Sequence, residues 1–260
     1  MERQSSIISF RKGDFMNKSK IEWTDKTWNP ITGCTQISDG CKNCYAKKMA
    51  HRLHAMKNPR YENEFKVTIH EDLFDAPLKM KNPSVIFVCS MSDLFHEEVN
   101  FIHIEKIFHT MERADQHIFQ VLTKRPERLL QFSKEHKIPD NVWVGTSLES
   151  ETYRERVDIL RNVKARIRFL SCEPLLGSLK HIDFKGIDWV VTGGESGSNA
   201  RPVDKAWILE IRDICQEERI PFFFKQWGGW NKKKNGHELD GKIYKEMPCL
   251  LYTSPSPRDS

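Results

Sequence analysis

The sequence predicts an α/β protein: a partial TIM-type (β/α) barrel of about six strand-helix units, with an N-terminal cysteine loop and a small C-terminal β-rich appendage. Three observations predict it. Short apolar runs recur at intervals of roughly 20 to 35 residues, the length of a strand-helix unit. Amphipathic helical patterns fill the intervals. Each run ends in a group of acids, bases and hydroxyls, and such folds keep their sites at those strand ends. A doubly wound parallel sheet is the structural alternative.

The chain has 260 residues, 38% hydrophobic and 30% charged, which suits one large domain or two small ones. Residues 1–15 show no periodicity before Met16 and read as an extension ahead of the true start. The last stretch, 249–260, reads as the conceptual translation of a sequencing adapter, so Cys249 is not expected to be a natural cysteine. The barrel is expected over 16–227 and the appendage over 228–248. No apolar run approaches the roughly 18 residues of a membrane span, and no signal-peptide apolar region opens the chain, so a cytoplasmic protein without a membrane partner is expected. The net charge of +5 is spread along the chain and permits an anionic partner without requiring one.

The strand candidates are 85–90, 117–123, 142–147, 167–171, 188–192 and 221–226. Their continuous apolar character suits parallel strands covered on both faces. Phe101, Ile104, Ile107, Phe108 and Met111 share one helical face, Tyr153, Val157 and Leu160 a second, and Trp207, Ile211, Ile214 and Cys215 a third. Pro126 suits a first helical turn and Asp204 an N-cap. The strand ends carry Ser90 to Asp93, Thr123 to Arg125, Thr146 to Glu149, Ser171 to Pro174, Gly193 to Ser196 and Lys225 to Trp227. Beyond them, Asn235-Gly236 and Asp240-Gly241 are turn signals. Lys232 to Lys234 form a basic run that either lies in solvent or touches a nucleic acid or phosphate, and Trp227 and Trp230 either stack a base or cover the barrel end.

Seven cysteines, three of them crowded at Cys34, Cys41 and Cys44, read as ligands or buried thiols in a reducing compartment. Cys41 and Cys44 have the two-residue spacing that turns both sulfurs toward one metal or cluster, and Gly33 and Gly40 each precede a cysteine. Without a second Cys-x-x-Cys, an all-cysteine zinc ribbon does not fit. A Cys₃His zinc site using His51 or His54 in a nucleic-acid- or protein-binding module stays open beside a [4Fe-4S] cluster with one free iron. A purely structural protein would not need the loaded strand ends.

The run Gly33-Cys-x6-Cys-Lys-Asn-Cys-Tyr-Ala is similar to the cluster loop of radical S-adenosylmethionine (SAM) enzymes. Ile86 to Phe95, Val121 to Arg125, Val144 to Glu149 with Arg156, and Glu173 to Gly177 resemble successive strands of the spore photoproduct lyase and DNA repair photolyase-like branch. The whole span from Lys20 to Pro248 most resembles a phage and bacterial family named after phage gene products thirty-seven and sixty-eight. The chain departs from the usual loop in two ways: six residues rather than three separate the first two cysteines, and Asn43 stands where an aromatic is common, with Tyr45 following. Gly193-Gly-Glu195 matches the amino-group-binding motif in letters only.

The resemblance implies an enzyme with a [4Fe-4S] cluster on Cys34, Cys41 and Cys44, and S-adenosyl-L-methionine held by Ser92, Lys124 and Ser147. It implies an electron donor protein and a substrate that is a nucleic acid or nucleobase. Tyr45 would pack on SAM or relay hydrogen, and Glu173 and Glu195 would face the substrate, or else satisfy a backbone group or an arginine. Cys89 could donate hydrogen, but strand alternation sets it opposite Ser90 and favours a buried core thiol.

Overall fold

A computed structural model describes residues 17–19 and 21–249. The expected leader over 1–15 and most of the expected adapter tail lie outside the described residues. The fold is α/β, a partial TIM-type barrel, with seven parallel strands among the described residues and helices between most of them. Strand order in the sheet follows chain order. The described residues divide into two compact units, one within 1–35 and 46–121, the other within 36–45 and 122–260.

In the first unit, β1 (Asn17–Lys18) pairs antiparallel with β2 (Lys26–Trp28). A short antiparallel pair follows, β3 (Ile31–Thr32) with β4 (Thr68–Ile69); between them in sequence lies α1 (Tyr45–Ala55), whose first residue belongs to the second unit. β5 (Val85–Val88) runs parallel to β2 and then to β6 (Ile118–Thr123), whose last two residues belong to the second unit. Between β5 and β6 lies α2 (Phe101–Arg113), capped by Asn100 Oδ1, which accepts from the Ile102 amide at 3.0 Å. Its buried Ile104, Ile107, Phe108 and Met111 keep helical spacing. Strand β2 escapes the sequence pattern because Lys-Thr-Trp is short and only Trp28 is buried, its indole donating to the Leu73 carbonyl at 2.8 Å.

The second unit continues with α3 (Pro126–Glu135), β7 (Val142–Ser147), α4 (Glu155–Arg161), β8 (Ile167–Cys172), β9 (Trp189–Gly193), α5 (Lys205–Glu217) and β10 (Phe222–Gln226). β7 to β10 pair in parallel, and β7 and β9 are buried along their whole length. Trp189 centres an aromatic core, its ring 5.7 Å from Trp143, 5.5 Å from Phe169 and 6.3 Å from Phe223. Asp204 caps α5 as its sequence suggests. The face α5 buries is Ile208, Ile211 and Cys215, so Trp207 and Ile214 flank the stripe rather than form it. No helix joins β8 to β9: Pro174, Gly177 and Gly186 interrupt that stretch, and Leu175, Leu179, Ile182 and Phe184 are buried from irregular backbone.

Beyond β10, the chain forms a one-turn helix, α6 (Lys232–Asn235), and a hairpin of β11 (Glu238–Leu239) and β12 (Lys242–Ile243). Asp240 and Gly241 turn the hairpin with φ of 50° and 74°. Tyr244 to Glu246 then lie along β10: the Phe224 amide donates to the Tyr244 carbonyl at 2.9 Å and the Glu246 amide to the Phe222 carbonyl at 3.2 Å. Among the described residues, no helix is long and apolar enough to cross a membrane.

Candidate active site around the cysteine loop

In the second unit, Ser38 has extended backbone and opens a tight turn over Asp39–Cys41. The Cys41 amide closes on the Ser38 carbonyl at 2.9 Å and the Cys44 amide on the Cys41 carbonyl at 3.2 Å, so two successive turns fix both sulfur-bearing residues. Gln36 Nε2 donates to the Cys41 carbonyl at 2.7 Å, and the Asp39 amide donates to Tyr153 Oη at 2.9 Å.

Two carboxylates from the strand ends hold this turn. Glu149, just past β7, is fully buried and takes hydrogen bonds from Ser38 Oγ at 2.6 Å, Arg156 Nη1 at 2.8 Å and the Lys124 ammonium. Gly40 lies so close to this carboxylate that no side chain fits. Arg156 also donates to the Ser147 carbonyl at 3.0 Å and stacks over Tyr153 at 4.3 Å. Burial pushes the Glu149 carboxyl up, but the Lys124 charge and hydrogen bond, Ser38 and Arg156 outweigh it and hold the group ionised. The bond between Ser38 and Glu149 spans 111 residues, so this partnership is not legible in the sequence.

Glu195, past β9, is the second anchor. Its Oε2 accepts from Asn43 Nδ2 at 2.9 Å, from the Arg201 amide at 2.8 Å and from Arg201 Nε at 2.9 Å, while Oε1 accepts Arg201 Nη2 at 2.6 Å. Burial again raises its pKa, and Arg201 with Asn43 more than reverses this, to about 2. Asn43 Nδ2 also donates to the Asn199 carbonyl at 2.8 Å. Asn43 is therefore a polar tether between the cysteine loop and the β9 end.

Burial raises the Cys41 thiol, but a hydrogen bond from the Ser38 side chain, the Ile37 and Ser38 backbone and the Lys124 charge bring it below its ordinary value. Cys34, Cys41 and Cys44 are partly exposed. Cys89, Cys172 and Cys215 are buried and desolvation pushes each thiol up, Cys215 to about 12. The core reading of Cys89 fits its burial, although its φ of 59° marks an abrupt end to β5.

In the first unit, Ser92 Oγ donates to the Gly33 carbonyl at 2.6 Å, beside Cys34, and residues 33 and 92 form a β-bridge. The Glu98 amide donates to His96 Nδ1 at 3.1 Å, so Nε2 carries the proton and donates to Thr35 Oγ1 at 2.8 Å. Tyr45 begins α1 and is 56% exposed. Ser147 ends β7 and is buried. Glu173 pairs with Lys225, whose ammonium lies 2.8 Å from both carboxylate oxygens, with Gln226 Nε2 at 3.2 Å.

His51 Nδ1 faces Glu64 at 3.1 Å, and His54 donates from Nδ1 to the Tyr61 carbonyl at 2.9 Å with its other nitrogen 3.9 Å from Glu64. Among the described residues, no three His, Cys, Asp or Glu side chains gather tightly enough for one metal ion.

The chain is similar to solved structures of spore photoproduct lyase. The enzyme complexed with the dinucleoside spore photoproduct is 13% identical with a TM-score of 0.46, and the match covers 80% of this chain and 65% of that one. A double variant of it with bound AdoMet and the dinucleoside spore photoproduct is 11% identical with a TM-score of 0.44, over 80% and 65% of the two chains. The chain thus spans 65% of the length of the lyase chains it matches. No curated protein matches the sequence. The model of a family described as "Protein of unknown function (DUF5131)" matches residues 18–248, and the chain belongs to that family.

Proposed function

We propose that this chain is a radical SAM-type iron-sulfur enzyme, with Cys34, Cys41 and Cys44 as the ligands of a [4Fe-4S] cluster. One observation carries the reading: of the six cysteines up to Cys215, these three are partly exposed, and two of them sit on a turn fastened by buried ionic anchors, whereas the other three are buried. When bound and reduced by an electron donor protein, cluster and SAM together supply a 5′-deoxyadenosyl radical that abstracts hydrogen from a substrate.

The chain's own residues supply position and charge. Lys124 brings its ammonium to Glu149 and would place a cation for the SAM carboxylate. Ser92 and Ser147 supply hydroxyls at two other strand ends, and Tyr45 offers a ring beside Cys44. Glu195, with its pKa near 2 and both oxygens engaged, serves as an anchor rather than a proton carrier. Glu173 is paired with Lys225 and would face a substrate as part of that ion pair.

Anaerobic reconstitution with iron and sulfide tests this. The expected result is about four irons and four sulfides per chain, an electron paramagnetic resonance signal that shifts on adding SAM, and loss of that signal in Cys34→Ala, Cys41→Ala and Cys44→Ala. A colourless protein that binds one zinc and never yields 5′-deoxyadenosine would sink the proposal.

A further inference from the structure

We infer that residues 228–245 form a landing surface for single-stranded nucleic acid, with Trp230 as its stacking platform. Trp230 is 84% exposed, the most exposed large hydrophobic side chain among the described residues. The backbone beneath it is nevertheless fixed. The Gly229 amide donates to the Glu195 carbonyl at 2.7 Å, the Gly197 amide to the Gly229 carbonyl at 3.1 Å, and Asn235 Nδ2 to the Gly228 carbonyl at 2.8 Å. Gly228 and Gly229 reach this path through φ of 76° and 82°. A tryptophan held out on a rigid mount loses little entropy when a flat partner covers it.

Charge selects the partner. Residues 228–245 contain five lysines, Lys232, Lys233, Lys234, Lys242 and Lys245, against Glu238 and Asp240. Asp240 is already paired with the Lys205 ammonium and lies 3.7 Å from Arg212. Eighteen residues thus carry +3 of a chain total of +5. An exposed indole within a basic segment fits a polyanion whose bases are unstacked; a duplex hides the base faces that the ring would cover. The mount also continues toward the cysteine loop, because the Glu195 that takes the Gly229 amide on its carbonyl holds Asn43, the neighbour of Cys44, on its carboxylate.

The inference stands on this surface and needs no cluster. The test is fluorescence anisotropy of a labelled oligothymidylate of about 12 nucleotides, a length within the usual site sizes, titrated with the full chain before and after reconstitution. The strand should bind both forms, more tightly than a duplex of equal length. Trp230→Ala should weaken binding by roughly 5- to 100-fold and Trp230→Phe should restore most of it. Combined Lys232→Gln, Lys233→Gln and Lys234→Gln should reduce the slope of log affinity against log salt by about 2. An unchanged unfolding midpoint in Trp230→Ala shows that the loss is one of contact. Absence of binding at low salt, equal binding by Trp230→Ala, or equal affinity for the duplex overturns the inference. A chain that binds the strand but never takes up iron keeps it and sinks the enzyme reading, while a loaded chain that ignores the strand does the reverse.

Discussion

Gly40→Ala measures how firmly the cysteine turn is pressed onto Glu149. A Cβ at residue 40 would stand 2.3 Å from Glu149 Oε1, 2.6 Å from its Cγ and 2.8 Å from its Cδ. Gly40 does not have left-handed backbone, so the penalty is one of contact and not of conformation. Glu149 cannot swing aside, since it is fully buried and held by Lys124 and by Arg156 at 2.8 Å. The turn must retreat by about 1 Å to reach the 3.4 Å of an ordinary contact, which breaks the 2.6 Å bond from Ser38. Overpacking costs about 1–3 kcal/mol and a lost hydrogen bond to a charged group about 1.5–3 kcal/mol, while restricting the unfolded chain returns about 0.4–1 kcal/mol. A net loss of roughly 2–4 kcal/mol should lower the urea midpoint of the full chain by about 1 M. In a Glu149→Ala background the same substitution should cost almost nothing, because the colliding carboxylate is gone. A parental midpoint for Gly40→Ala, or an equal loss in both backgrounds, would refute the contact.

Two further outcomes follow from the anchors. Glu195 has a folded pKa of about 2 against an ordinary 4.5, so it contributes stability above pH 4.5 that is lost as pH falls toward 2, roughly 3 kcal/mol in all; acid titration of unfolding should show this limb in the parent and lose it in Glu195→Gln. Lys225→Met should cost on the order of 3 kcal/mol, since it leaves the largely buried Glu173 carboxylate without its cation, and an unchanged thermal midpoint would show that the pair is solvated in practice.

The strands most legible in the sequence are those whose side chains are buried on both faces. β7, Val142–Ser147, coincides with its apolar run because nothing but burial shapes it. β2 is invisible by the same rule, since a single tryptophan carries its burial. At the site, chemistry was legible and partnership was not. The cysteine spacing and the acids at strand ends stand in plain view, but which acid meets which loop residue depends on contacts across more than a hundred positions, as between Ser38 and Glu149 or Asn43 and Glu195. Asn43 shows the limit best. By pattern it is a departure, and only the fold reveals that an aromatic there would remove two hydrogen bonds.

The strip from Tyr244 to Glu246 along β10 bears on solubility. β10 begins with three consecutive phenylalanines, and an open strand of that composition invites pairing between copies of the chain. Tyr244 and Glu246 occupy its backbone groups, the Phe222 amide also donates to Glu246 Oε2 at 3.0 Å, and the Trp189 indole donates to the Glu246 carbonyl at 2.9 Å. A chain cut just after the hairpin would keep Cys34, Cys41 and Cys44 and every strand end yet bare an adhesive edge. The final described residues thus protect the molecule from its own kind, and any shortened version meant for crystallisation or assay has to retain them.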